Sequence, residues 1–330
     1  MTSAQDKQTP AHHTDDGFRN PWPTYSEHGF SDFVKWKRER SKSGKSQHPD
    51  SLKFEFVPND GSFLRDNSDR FTVTWISHST ILFQIGGLNI LTDPMWSDRA
   101  SPVQWFGPQR YTPPALKIDD LPPIDVVVIS HDHFDHLDKS TIKQLGNRPH
   151  YFVPLRIGNI LNKWGIDNWT ELDWWESAEY REAEFSCVPS QHFSARSPFG
   201  SNRTLWCGWV IKSPQADVCF IGDSGWFPGF KEIGDKYGPF DLAALPIGAY
   251  LPKWFMSPVH VDPSQALDAC FDLRADRMIA HHWGTFKLAD DSPGLAPKMF
   301  REEVSRRKLD PAKFFLLRHG ETQIIELPER

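Results

Sequence analysis

A short apolar run that ends in a cluster of metal-binding side chains constrains this chain more than any other feature. The run "IDVVVIS" (residues 124–130) leads directly into "HDHFDH" (131–136), which holds three histidines and two aspartates. A short run rich in β-branched residues predicts a strand buried on both faces. A core strand therefore ends in groups that bind protons or metal ions, which favours an α/β protein with its site at strand ends.

The spacing inside this cluster indicates more than one metal ion. His131, His133 and Asp135 lie two residues apart, so an extended strand end would direct all three side chains to one side. His136 breaks this period and needs a turn to join them. A single catalytic metal ion takes about three protein ligands and a water molecule. Four ligand-type side chains in one loop therefore suggest two metals.

Further candidate ligands follow other predicted strands. His192 comes after "EFSCVPS", Asp223 after "DVCFIG" and His282 after "RMIAH". Taken singly, each has a simpler explanation, because a lone histidine is more often a hydrogen-bonded structural residue and Asp before Ser-Gly is usually a turn former. Together with the H-x-H-x-D-H cluster they form a set at strand ends, where α/β sheets place their sites.

The remaining pattern predicts two layers of strands with helices outside them. Residues 71–92 contain three short strands, the last two joined by a hairpin turn at Gly86-Gly87. Later apolar runs alternate with helix-like segments, and Asp262 ahead of Pro263 is a plausible helix N-cap. At 330 residues the chain can form one large α/β domain, which we place at residues 51–330.

Composition excludes several function classes. The net charge of −6 argues against a nucleic-acid-binding protein, since such domains usually carry a basic excess. The four cysteines form no C-x-x-C pair and predict neither a disulfide framework nor a thiolate zinc site. The N-terminus lacks the apolar core of a signal peptide, and no run of about 18 apolar residues occurs. We therefore expect a cytoplasmic protein, for which a homodimer is an allowed assembly.

Residues 1–50 differ from the rest and predict a flexible N-terminal arm, because they are polar and lack sustained periodicity. Residues 30–45 could form a helix with aromatic residues near one face, and six basic residues stand between Lys35 and Lys45. Such a helix could dock its aromatic residues on the main domain. It could also touch anionic lipid headgroups at the inner face of a membrane, where each basic residue contributes on the order of 1 kcal/mol.

The motifs resemble those of the metallo-β-lactamase superfamily, whose H-x-H-x-D-H loop "HDHFDH" reproduces. Within it, "LTDPMWSDRASPVQWFGPQRY", "VPSQHFS", "IGDSGWFPGF", "GPFDLAALPIGAYLPKWFM", "HVDPSQAL" and "HHWGTF" are similar to the phospholipases D that hydrolyse N-acyl-phosphatidylethanolamine. The similarity extends from about residue 70 to about residue 320.

The resemblance implies an αββα sandwich of two mixed β-sheets flanked by helices, and a pair of zinc ions that iron or manganese could replace. One ion would be held by His131, His133 and His192. The other would be held by Asp135, His136 and His282. Asp223 would bridge them, and a hydroxide between the ions would attack phosphorus. Asp135 and Asp223 would thus act in catalysis, with His78 and Asp93 shaping the site from behind.

The resemblance also suggests residues that contact a phospholipid or other small-molecule substrate. His260 would contact the substrate phosphate or protonate the leaving alkoxide, although a purely structural histidine fits its position equally well. Gln104 and Trp105 match a stretch that lines the substrate region, and Tyr250 would form a pocket wall. Mammalian members carry Gln where this chain has Val259 and Tyr where it has Trp105, so the lipid preference is left open.

The same residues leave other reactions open. A lactonase or another carboxylic-ester hydrolase of this fold would use the same ligands, and a non-catalytic metal-binding protein would keep them without turnover. Two further alternatives fit less well. The stretch "GDSGW" around Ser224 resembles the nucleophile loop of chymotrypsin-like proteases but has Trp226 in place of the final Gly. Diiron redox relatives have Glu where this chain has His133.

Overall fold

Two β-sheets pack face to face in the computed structural model, which describes residues 9–22, 28–42, 54–196 and 200–327. The first sheet contains β1 (Thr72–Ser77), β2 (Thr80–Ile85), β3 (Leu88–Thr92), β4 (Val126–Val128), β5 (His150–Pro154), β6 (Trp169–Leu172) and β14 (Thr322–Ile324). The second sheet contains β7 (Ser177–Tyr180), β8 (Ala183–Val188), β9 (Gly208–Lys212), β10 (Asp217–Ile221), β11 (Leu242–Pro246), β12 (Met278–His281) and β13 (Phe314–Phe315).

Both sheets are mixed. The first sheet has the strand order β14-β1-β2-β3-β4-β5-β6, antiparallel as far as β3 and parallel beyond it. The second has the order β13-β12-β11-β10-β9-β8-β7, parallel from β13 to β10 and antiparallel beyond it. Gly86 and Gly87 form the predicted hairpin turn with φ of 58° and 72°. A two-residue type I′ turn requires positive φ at both central residues, which glycine adopts readily.

Helices cover the outer faces of the sandwich. They are α1 (Phe30–Lys42), α2 (Ser62–Asp66), α3 (Lys139–Leu145), α4 (Gly158–Lys163), α5 (Gly229–Tyr237), α6 (Lys253–Met256), α7 (Pro263–Asp272) and α8 (Leu295–Arg306), with a 3₁₀ turn at Ile118–Asp120. Helix α7 begins at Asp262 with the predicted cap, in which Asp262 and Gln265 exchange hydrogen bonds as a capping box.

The core explains why the strands read as continuous apolar runs. Val126 and Val128 of β4 belong to the large apolar cluster that contains residues of both sheets, whereas Val127 belongs to a cluster that includes residues of α3 and α4. Phe152 stacks on Phe185 across the two sheets with ring centroids 4.4 Å apart. The predicted αββα sandwich is therefore confirmed.

The N-terminal region packs more closely on the domain than the flexible arm that we expected. Phe18 is buried, and α1 docks through Trp36, which is 5% exposed and stacks on Phe255 at 5.1 Å. Residues 1–8, 23–27 and 43–53 lie outside the described residues. The last of these ranges includes Lys45 of the predicted basic segment. A domain boundary at residue 51 stays a prediction.

The carboxyl ends of strands from both sheets meet at one edge, and a glycine allows their close approach. Gly222 follows β10, and a Cβ at this position would overlap the side chain of Ser130, which follows β4. The sheets are also joined here by hydrogen bonds from the backbone N–H of Cys207 to the carbonyl of Ser130 (2.9 Å) and from the Trp209 indole to the carbonyl of Ile129 (2.9 Å). The chain segments that carry His131 and Asp223 are thereby held together.

We expect Gly222→Ala to lower the free energy of unfolding by about 1–3 kcal/mol, as overpacking of a close contact does, and to reduce the metal content of the protein. Urea denaturation and elemental analysis would measure the two effects. Gly29→Ala is the matched control, because the added Cβ would meet only the Ser31 hydroxyl at 3.8 Å. Equal stability of the two variants would contradict this interpretation of Gly222.

Candidate metal centre

The loop after β4 folds back so that its ligand-type side chains converge. The backbone N–H groups of His136 and Leu137 both donate to the carbonyl of His133, at 3.1 and 2.8 Å. This turn places the ring of His136 beside that of His131, with centroids 4.2 Å apart. The turn that the spacing of His136 required is therefore present.

One group of side chains gathers around His133. Its Nδ1 lies 2.9 Å from Nε2 of His131 and 3.2 Å from Nε2 of His192, which the loop after β8 contributes. Asp223, which follows β10, points its Oδ2 at the same group, 3.7 Å from Nε2 of His192 and 4.0 Å from Nε2 of His131. Three imidazoles and a carboxylate thus surround one point.

A second group gathers around Asp135. Its Oδ2 lies 3.4 Å from Nε2 of His136 and 3.6 Å from Nε2 of His282, which directly follows β12. Nε2 of His78 is 2.9 Å from the same oxygen. His78 stands at the β1–β2 turn, so strand ends and turns of both sheets contribute to this group.

Asp223 joins the two groups. Besides its contacts in the first group, its Oδ2 lies 3.3 Å from Nε2 of His136 and its Oδ1 lies 3.1 Å from Nε2 of His282. One buried carboxylate therefore faces imidazoles of both groups. The structure brings all seven predicted ligands together with the predicted division between two positions, while their role as ligands stays a prediction.

Burial and the carboxylates act on these histidines in opposite directions. Burial holds the pKa of His131 and that of His192 well below the ordinary value, so these rings are neutral and can donate electron pairs to a cation. Burial also opposes charge on His136 and His282, but Asp223 and Asp135 outweigh it. They raise the pKa of His136 well above its ordinary value and that of His282 to about 9. A bound cation would replace the protons that these carboxylates otherwise attract.

The chemistry of the centre fits divalent metal ions. Nε2 of His136, Nε2 of His282 and Oδ1 of Asp223 are buried and make no hydrogen bond, although they lie close together. Buried polar atoms are normally hydrogen-bonded, so atoms without partners that face one point call for a ligand there. Imidazoles and carboxylates are the donor set that zinc, iron and manganese accept.

Neighbouring groups fix the orientation of the candidate ligands. Asp93 accepts a hydrogen bond from the Ser130 hydroxyl (2.6 Å) and lies 2.7 Å from Nδ1 of His136, which directs Nε2 of that ring into the centre. Nδ1 of His192 lies 3.0 Å from the carbonyl of Val259, with the same effect. Such partners set the tautomer and the ring orientation of metal-binding histidines.

Two arginines donate to backbone carbonyls around the centre, and sequence reasoning missed both. Arg196 is half-buried and contacts the loop after β4, whereas Arg110 is buried and contacts the segment after β3. Arg196 donates to the carbonyls of Asp132 (2.7 Å) and Leu137 (2.8 Å), and its guanidinium lies over the ring of Phe134. Arg110 donates to the carbonyls of Met95 (3.0 Å) and Ser97 (2.9 Å). No local pattern marks either residue, because their partners are backbone carbonyls brought close only by folding.

His260 is the predicted substrate residue that lies nearest to the two groups of candidate ligands. Its ring centroid is 5.2 Å from that of His192 and 5.4 Å from that of His282. Its Nδ1 is buried without a hydrogen-bond partner and lies 3.9 Å from Oδ2 of Asp223. Burial lowers the pKa of His260 to about 4, against the opposing effect of Asp223, so the ring is neutral near pH 7.

Of the other predicted substrate residues, Gln104 and Tyr250 make contacts within the protein, whereas Trp105 is exposed to solvent. The side-chain amide of Gln104 bonds to both the N–H (3.0 Å) and the carbonyl (3.2 Å) of Arg99, so it holds its own loop together. Trp105 is 81% exposed at the tip of that loop. Tyr250 is buried, and its hydroxyl contacts the sulfur of Met299 at 3.0 Å, which leaves it little surface for a substrate.

Two further residues occupy structural positions. The hydroxyl of Ser224 is buried, donates to the carbonyl of Gly225 (2.7 Å) and accepts from the N–H of Gln191 (3.0 Å). Because both of these bonds tie it to the backbone, the protease-like alternative loses its nucleophile. His281 places Nε2 at 2.9 Å from the carbonyl of Ile221, away from its neighbour His282.

Comparison with known sequences agrees with this geometry. Residues 88–283, more than half of the chain, match a family described as "Beta-lactamase superfamily domain". The matched region contains the segments after β4, β8, β10 and β12 that contribute to the two groups, whereas His78 lies before it. The chain belongs to the metallo-β-lactamase superfamily. The resemblance that the motifs suggested is confirmed.

Individual relatives refine the comparison. An uncharacterised protein of Mycobacterium tuberculosis is 44% identical over 235 residues, covering 69% of this chain and 62% of the relative. The chain thus spans less than two thirds of that relative's length. A Caenorhabditis elegans protein named N-acyl-phosphatidylethanolamine-hydrolyzing phospholipase D 1 is 39% identical over 263 residues, covering 75% of this chain and 74% of the relative.

A solved structure shares the fold. Igni18, a metallo hydrolase from the archaeon Ignicoccus hospitalis, superposes with a TM-score of 0.60 at 22% identity, covering 79% of this chain and all of the other. At this identity the likeness concerns the fold alone.

We expect Asp223→Asn and His282→Ala to lower the content of bound divalent ions by at least one equivalent, because each removes a group that faces the centre. Elemental analysis after dialysis against a metal buffer measures this loss. Asp132→Asn is the matched control from the same motif, since among the described residues its side chain accepts one hydrogen bond, from the N–H of Ala195 to Oδ1 at 3.1 Å, which an amide oxygen can also accept. Equal metal content in all three variants would contradict the assigned centre.

Proposed function

We propose that this protein is a metal-dependent hydrolase, a phosphodiesterase of phospholipase D type that acts on lipids resembling N-acyl-phosphatidylethanolamine. The observation that carries the proposal is the Asp223 carboxylate, which two adjacent groups of ligand-type side chains share within 3.1 to 4.0 Å. Cations held in the two groups would stabilise the two non-bridging oxygens of a phosphodiester, which share one negative charge, and the leaving oxygen.

In this reaction the side chains of the two groups would position the substrate phosphate, through the ions that they hold, and stabilise its negative charge. Divalent ions held in the two groups would polarise the phosphate and lower the pKa of water so that it becomes nucleophilic near neutral pH. Asp223 sets the separation of the two groups, and Asp93 keeps the His136 ring fixed. Hydrolysis of a phosphodiester mainly requires positioning and charge stabilisation, so rigid side chains at strand ends are well suited to it.

His260 supports the proposal as a hydrogen-bond donor to the substrate phosphate. Its ring is neutral near pH 7 and carries a buried nitrogen without a partner close to Asp223. Nearby cations would oppose protonation of the ring further. We therefore favour contact with a phosphate oxygen over storage of the proton for the leaving alkoxide.

Exposed aromatic residues on the loop between Ser97 and Arg110 favour a lipid over a small polar substrate. The loop that carries Trp105 and Phe106, which are 81% and 70% exposed, begins near Ser97, whose hydroxyl donates to Asp138 at 2.9 Å. Asp138 follows the H-x-H-x-D-H motif and caps α3. Apolar surface anchored this close to the motif could hold acyl chains. The name of the Caenorhabditis elegans relative points to the same substrate class.

We expect the metal-replete protein to turn over N-acyl-phosphatidylethanolamine faster than short phosphodiesters, and short phosphodiesters faster than lactones. The acyl chains add apolar contacts that small substrates lack. Assays of all three classes with purified protein of known metal content would measure this order. Fast lactone turnover with inert phosphodiesters would favour the carboxylic-ester hydrolase alternative. Absence of turnover in protein that holds its metal would favour a binding protein.

We also propose that α1 brings the protein to anionic membranes. Phe33 and Val34 are 41% and 44% exposed, and Lys35, Lys37 and Arg38 are exposed beside them. Lys35 lies 4.3 Å from the ring centre of Trp254, so α6 extends this basic and aromatic surface. Exposed aromatic and basic side chains together suit the interface of an anionic bilayer.

The membrane contact would be peripheral. In the part of the chain that the structure describes, no helix is both long and apolar enough to cross a bilayer. The four cysteines are free thiols, which agrees with the cytoplasmic location that we propose.

We expect the double variant Lys35→Gln/Arg38→Gln to bind vesicles containing phosphatidylserine about thirtyfold more weakly at low salt, since each basic residue contributes about 1 kcal/mol near such a surface. Sedimentation with sucrose-loaded vesicles measures the binding. Lys298→Gln/Arg301→Gln on α8 removes the same charge elsewhere and serves as control. Equal loss in both double variants would argue against a specific role of α1.

A further inference from the structure

A second cluster of ligand-type side chains lies outside the candidate metal centre. Nε2 of His12 is 2.7 Å from Oδ1 of Asp173, and Nε2 of His13 is 2.7 Å from Oδ2 of the same carboxylate. The three ligand atoms lie within 4.8 Å of one another. The histidines come from the N-terminal segment 9–22, and Asp173 directly follows β6.

The surroundings hold these side chains in place. The N–H of Arg19 donates to the carbonyl of His12 at 2.8 Å within a small hairpin formed by the N-terminal segment. The ring of His12 stacks on Trp174 with centroids 4.2 Å apart. The N–H of Trp174 donates to Oδ1 of Asp173 at 2.8 Å. The side chains of His12 and Asp173 are therefore oriented by groups that do not belong to the cluster.

We propose that His12, His13 and Asp173 form a further divalent-cation site, best suited to zinc, that fastens the N-terminal segment to the domain. Two imidazoles and one carboxylate, with water completing the shell, are a typical zinc donor set. Zinc bonds of about 2.0–2.2 Å place tetrahedral ligand atoms about 3.3 Å apart, so the two 2.7 Å contacts need to widen by only about half an ångström. Side chains of His13 and Asp173 are 26% and 15% exposed, which allows the ion to exchange with solvent.

The position of this site gives it a consequence for the candidate metal centre. Asn20, in the same segment, donates from Nδ2 to the carbonyl of His192 at 2.7 Å. Between the two contacts, the N–H of Phe18 donates to the carbonyl of Asn202 at 2.9 Å, and the ring of Phe18 is buried. An ion on His12, His13 and Asp173 would thus stabilise the segment that supports His192 from behind.

The experiment compares the full-length protein with His13→Gln and with His150→Gln. His150 is a suitable control because its ring bonds only to Asn168 (3.0 Å) and Thr170 (2.9 Å) among the hydrogen bonds of the described residues. Each protein is dialysed against buffers of fixed free zinc, and bound zinc is determined by elemental analysis. Ions that all variants hold in the candidate metal centre cancel in the difference, and tryptic cleavage after Arg19 reports on the N-terminal segment itself, so neither readout requires activity.

We expect the wild type and His150→Gln to bind one zinc equivalent more than His13→Gln. Zinc should also slow tryptic cleavage after Arg19 in the wild type and in His150→Gln, by about tenfold at a free zinc concentration ten times the Kd, but not in His13→Gln. Asp173→Asn, which keeps the size of the side chain, should behave like His13→Gln and replaces it if that variant does not fold. Equal zinc content in all variants, or zinc protection that persists without His13 or Asp173, would overturn the proposal.

Discussion

The architecture depends on the concentration of negative charge in a place from which water is excluded. Asp93, Asp135 and Asp223 are all buried within one edge of the sandwich. Removing carboxylates from water is costly unless positive charge or hydrogen-bond donors replace the solvent. The surrounding imidazoles provide donors, and divalent ions would provide the remaining charge. Divalent ions in the centre would therefore raise the free energy of unfolding, and the same side-chain atoms would serve both stability and the reaction.

The sequence predicted the parts of this arrangement that local patterns encode. The buried strand before His131, the two-residue hairpin at Gly86 and the capping box at Asp262 follow from spacing and residue type, and each is present. The convergence of His192 and Asp223 on the H-x-H-x-D-H loop followed from a rule about strand ends in α/β sheets. The strand, the hairpin and the cap were predictable because their information lies within a few neighbouring residues. The convergence was predictable because each candidate ligand follows a recognisable strand.

Features that depend on distant contacts could not be read in this way. The polar composition of the first 50 residues predicted flexibility, but Phe18 and Trp36 are buried against partners far away in the chain. Tyr250 resembled a pocket residue and instead packs against Met299. Arg196, beside the loop after β4, and Arg110, beside the segment after β3, have backbone carbonyls as partners, and any residue provides a carbonyl. Composition cannot show which of these carbonyls folding brings together.

The loop between Ser97 and Arg110 is held mainly by its own contacts. Arg99 pairs with Gln109 across the base of the loop and bonds to Gln104 near its tip. Among the described residues, hydrogen bonds join the loop to the strand-end framework only at its ends. Residues at the tip, Trp105 among them, can therefore change without moving a side chain of the candidate centre. If this loop contacts the substrate as proposed, the fold separates the part that breaks a bond from the part that selects a molecule, and the second can evolve while the first stays constant.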